Sequence, residues 1–282
     1  MIHIDKKTKN GMIKALMIAV LLMGAFYAAF PVLWMFCCSL KPNAEIFATN
    51  PTLISPNSSF DAYLKVLLSG ERLRFFANSY LVASVVTVST LVISMMAAYA
   101  FSRYDFKLKK VINVMIICTQ SVPGITLLIP YYGMVIALGL FNTYWALIIT
   151  YAVFTLPYAI IMMTGYFNTL PRELDEAIMI DGAGPMYALW RVLVPISVPG
   201  IVSVGIYTFM TAWNEYLFAN VLTRTNDMRT VPVGISLLMG QHNYAWNEMM
   251  SLSIVGCIPI LIMVLFFQKY FISGMTAGSI KS

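Results

Sequence analysis

The sequence predicts an all-α polytopic membrane protein with six transmembrane helices. Three observations carry this. The 282 residues are 60% hydrophobic and only 11% charged, where a soluble domain carries about 25% charged residues. With a mean hydropathy of +0.78, the chain has too little polar surface to cover a water-facing globule. The apolar residues also gather into six segments, at about 13–37, 76–102, 111–137, 143–165, 196–222 and 250–272. Each is long enough to span a bilayer as a helix, which takes roughly 20 residues. Finally, no segment alternates apolar and polar residues strictly, as the strands of a membrane barrel do.

Taken in order, the first segment follows Lys6, Lys7, Lys9 and Lys14. Its apolar run is too long for a signal-peptide core, and CCSLK offers no small-residue cleavage site, so a retained signal anchor is expected. Orientation follows from the basic residues. With the N-terminus in the cytoplasm, 12 of the 18 Lys and Arg fall on the cytoplasmic side, and Arg103, Lys107, Lys109 and Lys110 crowd into one short loop. The positive-inside rule then puts both termini and the stretch 166–195 in the cytoplasm. Tyr144, Trp145, Trp213 and Tyr216 are expected at the outer interface, where amphipathic rings collect. The outer connections are 38–75, 138–142 and 223–249. The first, containing NPTLISPNSS, is expected to pack as a cap or to meet a partner. The whole chain, 1–282, reads as one transmembrane domain.

The net charge of +6 follows from the same orientation bias. No basic block with interleaved aromatics suggests a nucleic-acid partner, and lipid is the expected surroundings. Cys37, Cys38, Cys118 and Cys257 lie in or beside apolar segments without C-x-x-C spacing, and His3 and His242 lie outside the spans. The cysteines read as small apolar residues, and no metal site is expected.

Two places inside or beside spans break the apolar pattern. Gln120 lies about ten residues into the third segment, roughly 15 Å deep at the helical rise of about 1.5 Å per residue. Pro123 and Gly124 follow it and are expected to break the helix. Broken helices are tolerated where they are buried or line a cavity, so the group is either a wall of a translocation pathway or a structural kink. Asn214 and Glu215 stand near the end of the fifth segment. Glu215 reads first as interfacial and second as a gate or substrate contact, because a carboxylate at mid-bilayer is costly.

Residues 166–195 hold the densest acidic cluster. Thr169 or Leu170 is expected to begin a helix, with Pro171 in its first turn. Glu173, Asp175 and Glu176 then complement the helix dipole. Leu174, Ala177 and Ile178 share one face. Asp181-Gly182 ends this helix. Gly184-Pro185 starts a second through Tyr187, Leu189, Trp190 and Leu193, and Pro195 ends that. A helix-turn-helix of this kind either packs on its own bundle and the lipid surface or docks a soluble partner.

Glu176-Ala177-Ile178, then Gly182, then Val192-Leu193-Val194-Pro195 resembles the E-A-A, three residues, G, nine residues, I-x-L-P signature of ABC importer permeases. Ser39-Leu40-Lys41-Pro42, Asn78-Ser79, Ala98–Arg103, Trp213-Asn214-Glu215-Tyr216, Val231-Pro232-Val233-Gly234 and the tail 273–282 are similar to the carbohydrate, maltose-type branch. Within it they resemble the second permease subunit of a heterodimer. The resemblance implies that 166–195 is a coupling loop seated on a dimeric ATPase. Glu176, Ala177, Ile178, Asp181, Gly182, Ala183 and Pro195 would form that interface, and Thr276, Ala277 and Gly278 of the tail would also reach the ATPase. It further implies a binding protein outside the membrane. No G-x-x-x-x-G-K-[ST] loop occurs in the sequence, so ATP and Mg are expected in the partner ATPase and this chain is not expected to be an enzyme. The alternative is an ion-coupled secondary transporter or channel. It would call for an ionisable residue at mid-membrane or inverted repeats, and the sequence shows neither.

Overall fold

The computed structural model describes residues 6–50, 52–180, 182–240 and 244–277. The described residues form helices joined by turns, with one isolated antiparallel bridge between Met239 and Tyr244. The chain divides into two units, Met1–Leu68 with Leu238–Val255, and Ser69–Leu237 with Gly256–Ser282.

The first unit holds α1 (Lys6–Ser39), α2 (Asn43–Ile46), α3 (Asp61–Leu68) and the start of the chain's last helix. The most apolar window of α1 is wholly unburied. The stretch 38–75 is pinned around Glu45, whose carboxylate accepts from Ser55 Oγ and, at 2.7 Å, from Asn57 Nδ2. These bonds, that from Ser55 foremost, hold the Glu45 carboxyl below its usual range. Ser39 Oγ meets Tyr63 OH at 2.7 Å, Lys65 pairs with Glu248 at 3.0 Å, and Phe47 packs edge-on against Trp246. The described residues of 38–68 therefore pack on the start of the last helix within their own unit, while 70–75 belong to α4.

The second unit is built on α4 (Gly70–Arg103). Then come α5 (Lys109–Gln120), a 3-10 turn (Gly124–Leu127), α6 (Leu128–Ala137), α7 (Tyr144–Asn168), α8 (Glu173–Ile180) and α9 (Pro185–Ala188). A π turn (Leu189–Leu193), α10 (Val194–Ile196), α11 (Val198–Trp213), α12 (Leu217–Leu222), α13 (Val231–Leu237) and, from Gly256 on, α14 (Trp246–Ala277) follow. Small residues let α4 and α7 approach closely. Ala83, Thr90, Ser94 and Ala98 of α4 are buried, as are Ala146, Thr155 and Ala159 of α7. Thr90 and Thr155 hydroxyls meet at 3.1 Å in that seam. Close backbone contact and short polar side chains are how helices associate where water supplies no drive.

Among the described residues four helices are long and apolar enough to cross a membrane: Gly11–Ser39, Gly70–Arg103, Tyr144–Asn168 and Trp246–Lys269. Two further pairs qualify only together, Lys109–Gln120 with Gly124–Ala137, bent by 96°, and Pro185–Ile196 with Val198–Trp213, bent by 83°. The chain is thus an all-helical membrane protein with four candidate spans, or six if each bent pair is one.

Several sequence expectations need correction. The segment 196–222 is not one helix. Glu215 turns its carboxylate onto Phe218 N (2.8 Å) and Ala219 N (3.0 Å), which starts α12 as a separate helix after α11 ends at Trp213. Trp213 does not present its ring to the surroundings. It is 3% exposed, lies edge-on to Tyr80, and donates to Gly256 O at 3.2 Å. The last helix runs through Ala277 rather than stopping near 272.

Candidate functional site

The stretch 166–195 folds as helix, turn and helix, with shifted boundaries. Thr169 and Leu170 do not begin α8. Their N–H groups still bond to Tyr166 O and Phe167 O, finishing α7. The first turn of α8 instead closes on Arg172, whose carbonyl accepts from Asp175 N and Glu176 N, so Pro171 lies ahead of the helix. At its other end Gly182 N bonds Met179 O and Ala183 N bonds Ile178 O. This is a Schellman closure, and it needs a left-handed residue; Gly182 supplies it with φ +81°. Asp181 lies outside the described residues.

The buried face of α8 also differs from the apolar one expected. Ala177 is exposed, Leu174 and Ile178 are half-buried, and the buried residue is Asp175. Its Oδ2 lies 2.6 Å from Arg103 Nε, with both side chains 7% exposed. The guanidinium explains the inversion, because a charged partner waits where an apolar floor was expected. The outward face carries Glu173, Glu176 and Ala177 with Met179 and Ile180. Ile180 is 85% exposed, and Met186 and Tyr187 of α9 are exposed as well.

Pro195 does not end the second helix. It sits inside α10, and the helical run reaches Ile196 through the π turn. A proline has no N–H to give the preceding turn, and Val194 N reaches back to Leu189 O, one residue further than usual. The break falls at Ser197, and Pro199 opens α11.

A second feature lies at the bend of the third segment. Thr119, Gln120 and Val122 line a cavity of about 470 Å³ with Leu127, Tyr131, Val153, Phe154, Pro157, Tyr158 and Tyr207. Tyr158 of α7 stacks on Tyr207 of α11 with ring centroids 3.8 Å apart, and Tyr131 stacks on Phe154 at 5.7 Å. Pro157 lacks an N–H, which leaves the Val153 carbonyl without its helical partner. Pro123 caps the 3-10 turn, and a side chain at Gly124 would touch the Phe154 and Phe218 rings. The cavity has the size of a small-ligand site and the usual mix of aromatic walls and few polar groups. Asn214 and Glu215 are not among its lining residues; Asn214 ends α11, and Glu215 caps α12. Among the described residues no group of three or more His, Cys, Asp or Glu could hold a metal ion. Thr276 and Ala277 close α14, and Gly278 lies outside the described residues.

Residues 90–277 match the model of the binding-protein-dependent transport system inner membrane component. The chain belongs to this family. The trehalose/maltose transport system permease protein MalG of Thermococcus litoralis is 39% identical over 275 residues, covering 94% of this chain and 96% of its own. The sulfoquinovosyl glycerol transport system permease protein SmoH of Agrobacterium fabrum is 36% identical, covering 89% and 88%. The fold is similar to that in the crystal structure of a bacterial ABC transporter involved in the import of alginate, an acidic polysaccharide. There the TM-score is 0.79 at 22% identity, over 96% of this chain and 100% of that one. The chain is therefore a multi-pass inner-membrane permease of the carbohydrate, MalG-like type, a transport subunit and not an enzyme.

Sequence reading missed the Arg103–Asp175 pair and most of the cavity wall. Arg103 and Asp175 stand 72 positions apart in sequence, and only the fold brings them together. The proline at 157 inside an apolar run was the one local sign that α7 lines a cavity.

Proposed function

We propose that this permease passes an oligosaccharide or sugar derivative through the cavity beside Gln120, driven by a separate ATPase. In this reading it has six spans with both termini in the cytoplasm. It pairs with a second homologous permease, seats a dimeric ATPase holding ATP and Mg on its cytoplasmic face, and receives its cargo from an extracytoplasmic binding protein. The observation that carries the coupling role is the unpaired ridge of α8 and α9. Met179, Ile180, Met186 and Tyr187 are exposed beside Glu173 and Glu176. A helix that buries a carboxylate and exposes its large apolar residues is arranged for a partner. Glu176, Ala177, Ile178, Asp181, Gly182, Ala183 and Pro195 form or support that surface, and Thr276, Ala277 and Gly278 are assigned to tail contacts with the ATPase.

Relatives named for trehalose, maltose and sulfoquinovosyl glycerol support a carbohydrate cargo. The cavity suits that class. Flat rings pack against the C–H faces of sugars, while the Gln120 amide and Thr119 hydroxyl can bond their hydroxyl groups. Pro123 and Gly124 shape the bend that admits them. Asn214 and Glu215 serve the joint between α11 and α12.

The test is to purify the tagged chain gently from its native membrane and identify what comes with it. A second permease and an ATPase are expected, with uptake into vesicles that requires ATP and a binding protein. A chain that purifies alone and transports without ATP would replace this reading with a secondary transporter.

A further inference from the structure

We infer that Arg103 is the joint that makes α8 move as one body with the ends of α4 and α7. This rests on the reading of α8 as the helix that seats the ATPase. Arg103 is the last residue of α4. Its Nε pairs with Asp175 Oδ2 on α8 at 2.6 Å. Its Nη1 donates to Phe167 O at 3.1 Å and its Nη2 to Leu170 O at 3.3 Å, the carbonyls where α7 ends. One planar fork therefore holds three elements. Arg172, at the head of α8, returns a bond from Nη2 to Ser102 O at 3.3 Å.

The rest of α8 offers little else. Asp175 is its one buried residue, with Leu174 and Ile178 half-buried and the remainder exposed. An eight-residue helix that must bear a load is thus held by one buried carboxylate and by Ile178, which packs on the core around Tyr99 and Phe167. A buried ion pair is weak evidence for stability, because desolvation offsets its attraction. What this one fixes is geometry. The guanidinium presents donors in a rigid plane that a lysine ammonium does not reproduce; its bonds to the two α7 carbonyls fix where its charge stands, and the ion pair holds Asp175 of α8 against it. The consequence reaches the cavity, since α7 also carries Phe154, Pro157 and Tyr158. A push on α8 arrives at that wall through the Phe167 end of the same helix.

The test measures whether α8 and α7 keep their distance when ATP binds. The four native cysteines are replaced by serine, and spin labels are placed at Ile149→Cys on α7, 47% exposed and outside the cavity lining, and at Glu173→Cys at the start of α8, also exposed. Distances are recorded by electron paramagnetic resonance in the whole transporter in nanodiscs, without nucleotide and with ATP plus vanadate. The expected result is a single distance common to both states. With Arg103→Met and Asp175→Leu together, which leave no buried charge unpaired, the distribution should widen and shift with ATP by at least about 2 Å, the scale of helix displacements in switching proteins. Arg103→Lys gives a second arm should the apolar pair not fold, with the same widening expected at smaller amplitude. An ATP-dependent distance in the parent, or an unchanged distance in the variants, would overturn the joint. So would loss of the ATPase from the variants alone, since the pair would then build the docking surface and not transmit from it. Failure of the unlabelled parent to hold an ATPase would instead defeat the reading of α8 on which the joint rests.

Discussion

Near its start α4 holds its neighbours with buried neutral groups, its charged contacts from Glu71 and Arg74 being exposed, and at its last residue it holds them with a buried charge. At the first end, Asn78 Nδ2 donates to Asp227 O and Arg229 O, each at 2.8 Å, and Asn78 Oδ1 accepts from Tyr144 OH at 2.7 Å. Ser79 Oγ accepts from Val231 N at 2.8 Å. Asn142, in the left-handed region at φ 59°, accepts from Arg224 N and Thr225 N beside them. At the other end the single Arg103 guanidinium binds Asp175, Phe167 O and Leu170 O. The first arrangement spreads its hold over many short bonds and keeps the end closed. The second concentrates its buried charge in one group, with Arg172 adding a bond to Ser102 O and Ile178 a core contact, so that a force on α8 reaches α4 and α7 chiefly through one guanidinium.

The difference can be broken end by end. Asp175→Ala should have the largest effect on stability, a loss of about 3–5 kcal/mol, because it strands a buried guanidinium. Thermal unfolding of the purified transporter measures it. Asn78→Ala removes three hydrogen bonds at about 0.5–1.5 kcal/mol each, a loss of roughly 1.5–4.5 kcal/mol, while ATP consumed per solute imported should stay as in the parent. A changed ratio would show that the amide end also carries the load.

Gly182→Leu comes next. A side chain there meets no atom within 4 Å, so the obstacle is not space. It is the left-handed backbone, at roughly 1–2 kcal/mol for a residue with a Cβ. The loop turn should open, with uptake falling further than ATPase binding, as paired uptake and pull-down assays would show. The smallest effect belongs to Lys109→Ala. Lys109 pairs with Asp105, and although that bond holds the Asp105 carboxyl below its usual range, Asp105 is open to solvent. Melting temperature and uptake should not move, since exposed pairs contribute little.

How far the sequence spoke depended on whether a signal was local. Pro123 and Gly124 broke their helix where expected, because missing N–H groups act within one turn. Gly182 took the left-handed conformation that the Asp-Gly stop implied. The family was legible from the spacing of Glu176, Gly182 and Pro195, which a fixed loop geometry demands. The ends of the helices were less legible, because side chains competed for them. The Glu215 carboxylate split an apolar run of 27 residues, and a carboxylate at 175 became buried because an arginine 72 positions away came to meet it. Hydropathy sees neither event. It also cannot distinguish an aromatic that faces lipid from one that stacks across a cavity, as Tyr158 does on Tyr207.

The most direct measurement is photo-cross-linking from position 180 in native membranes. Ile180 is 85% exposed on α8, and Ile54, 77% exposed in the first unit, serves as the control. A cross-linker at 180 should join an ATPase subunit and one at 54 should not. A transporter active in uptake whose position 180 captures only lipid would contradict the assignment of α8 as the place where ATP-driven force enters this chain.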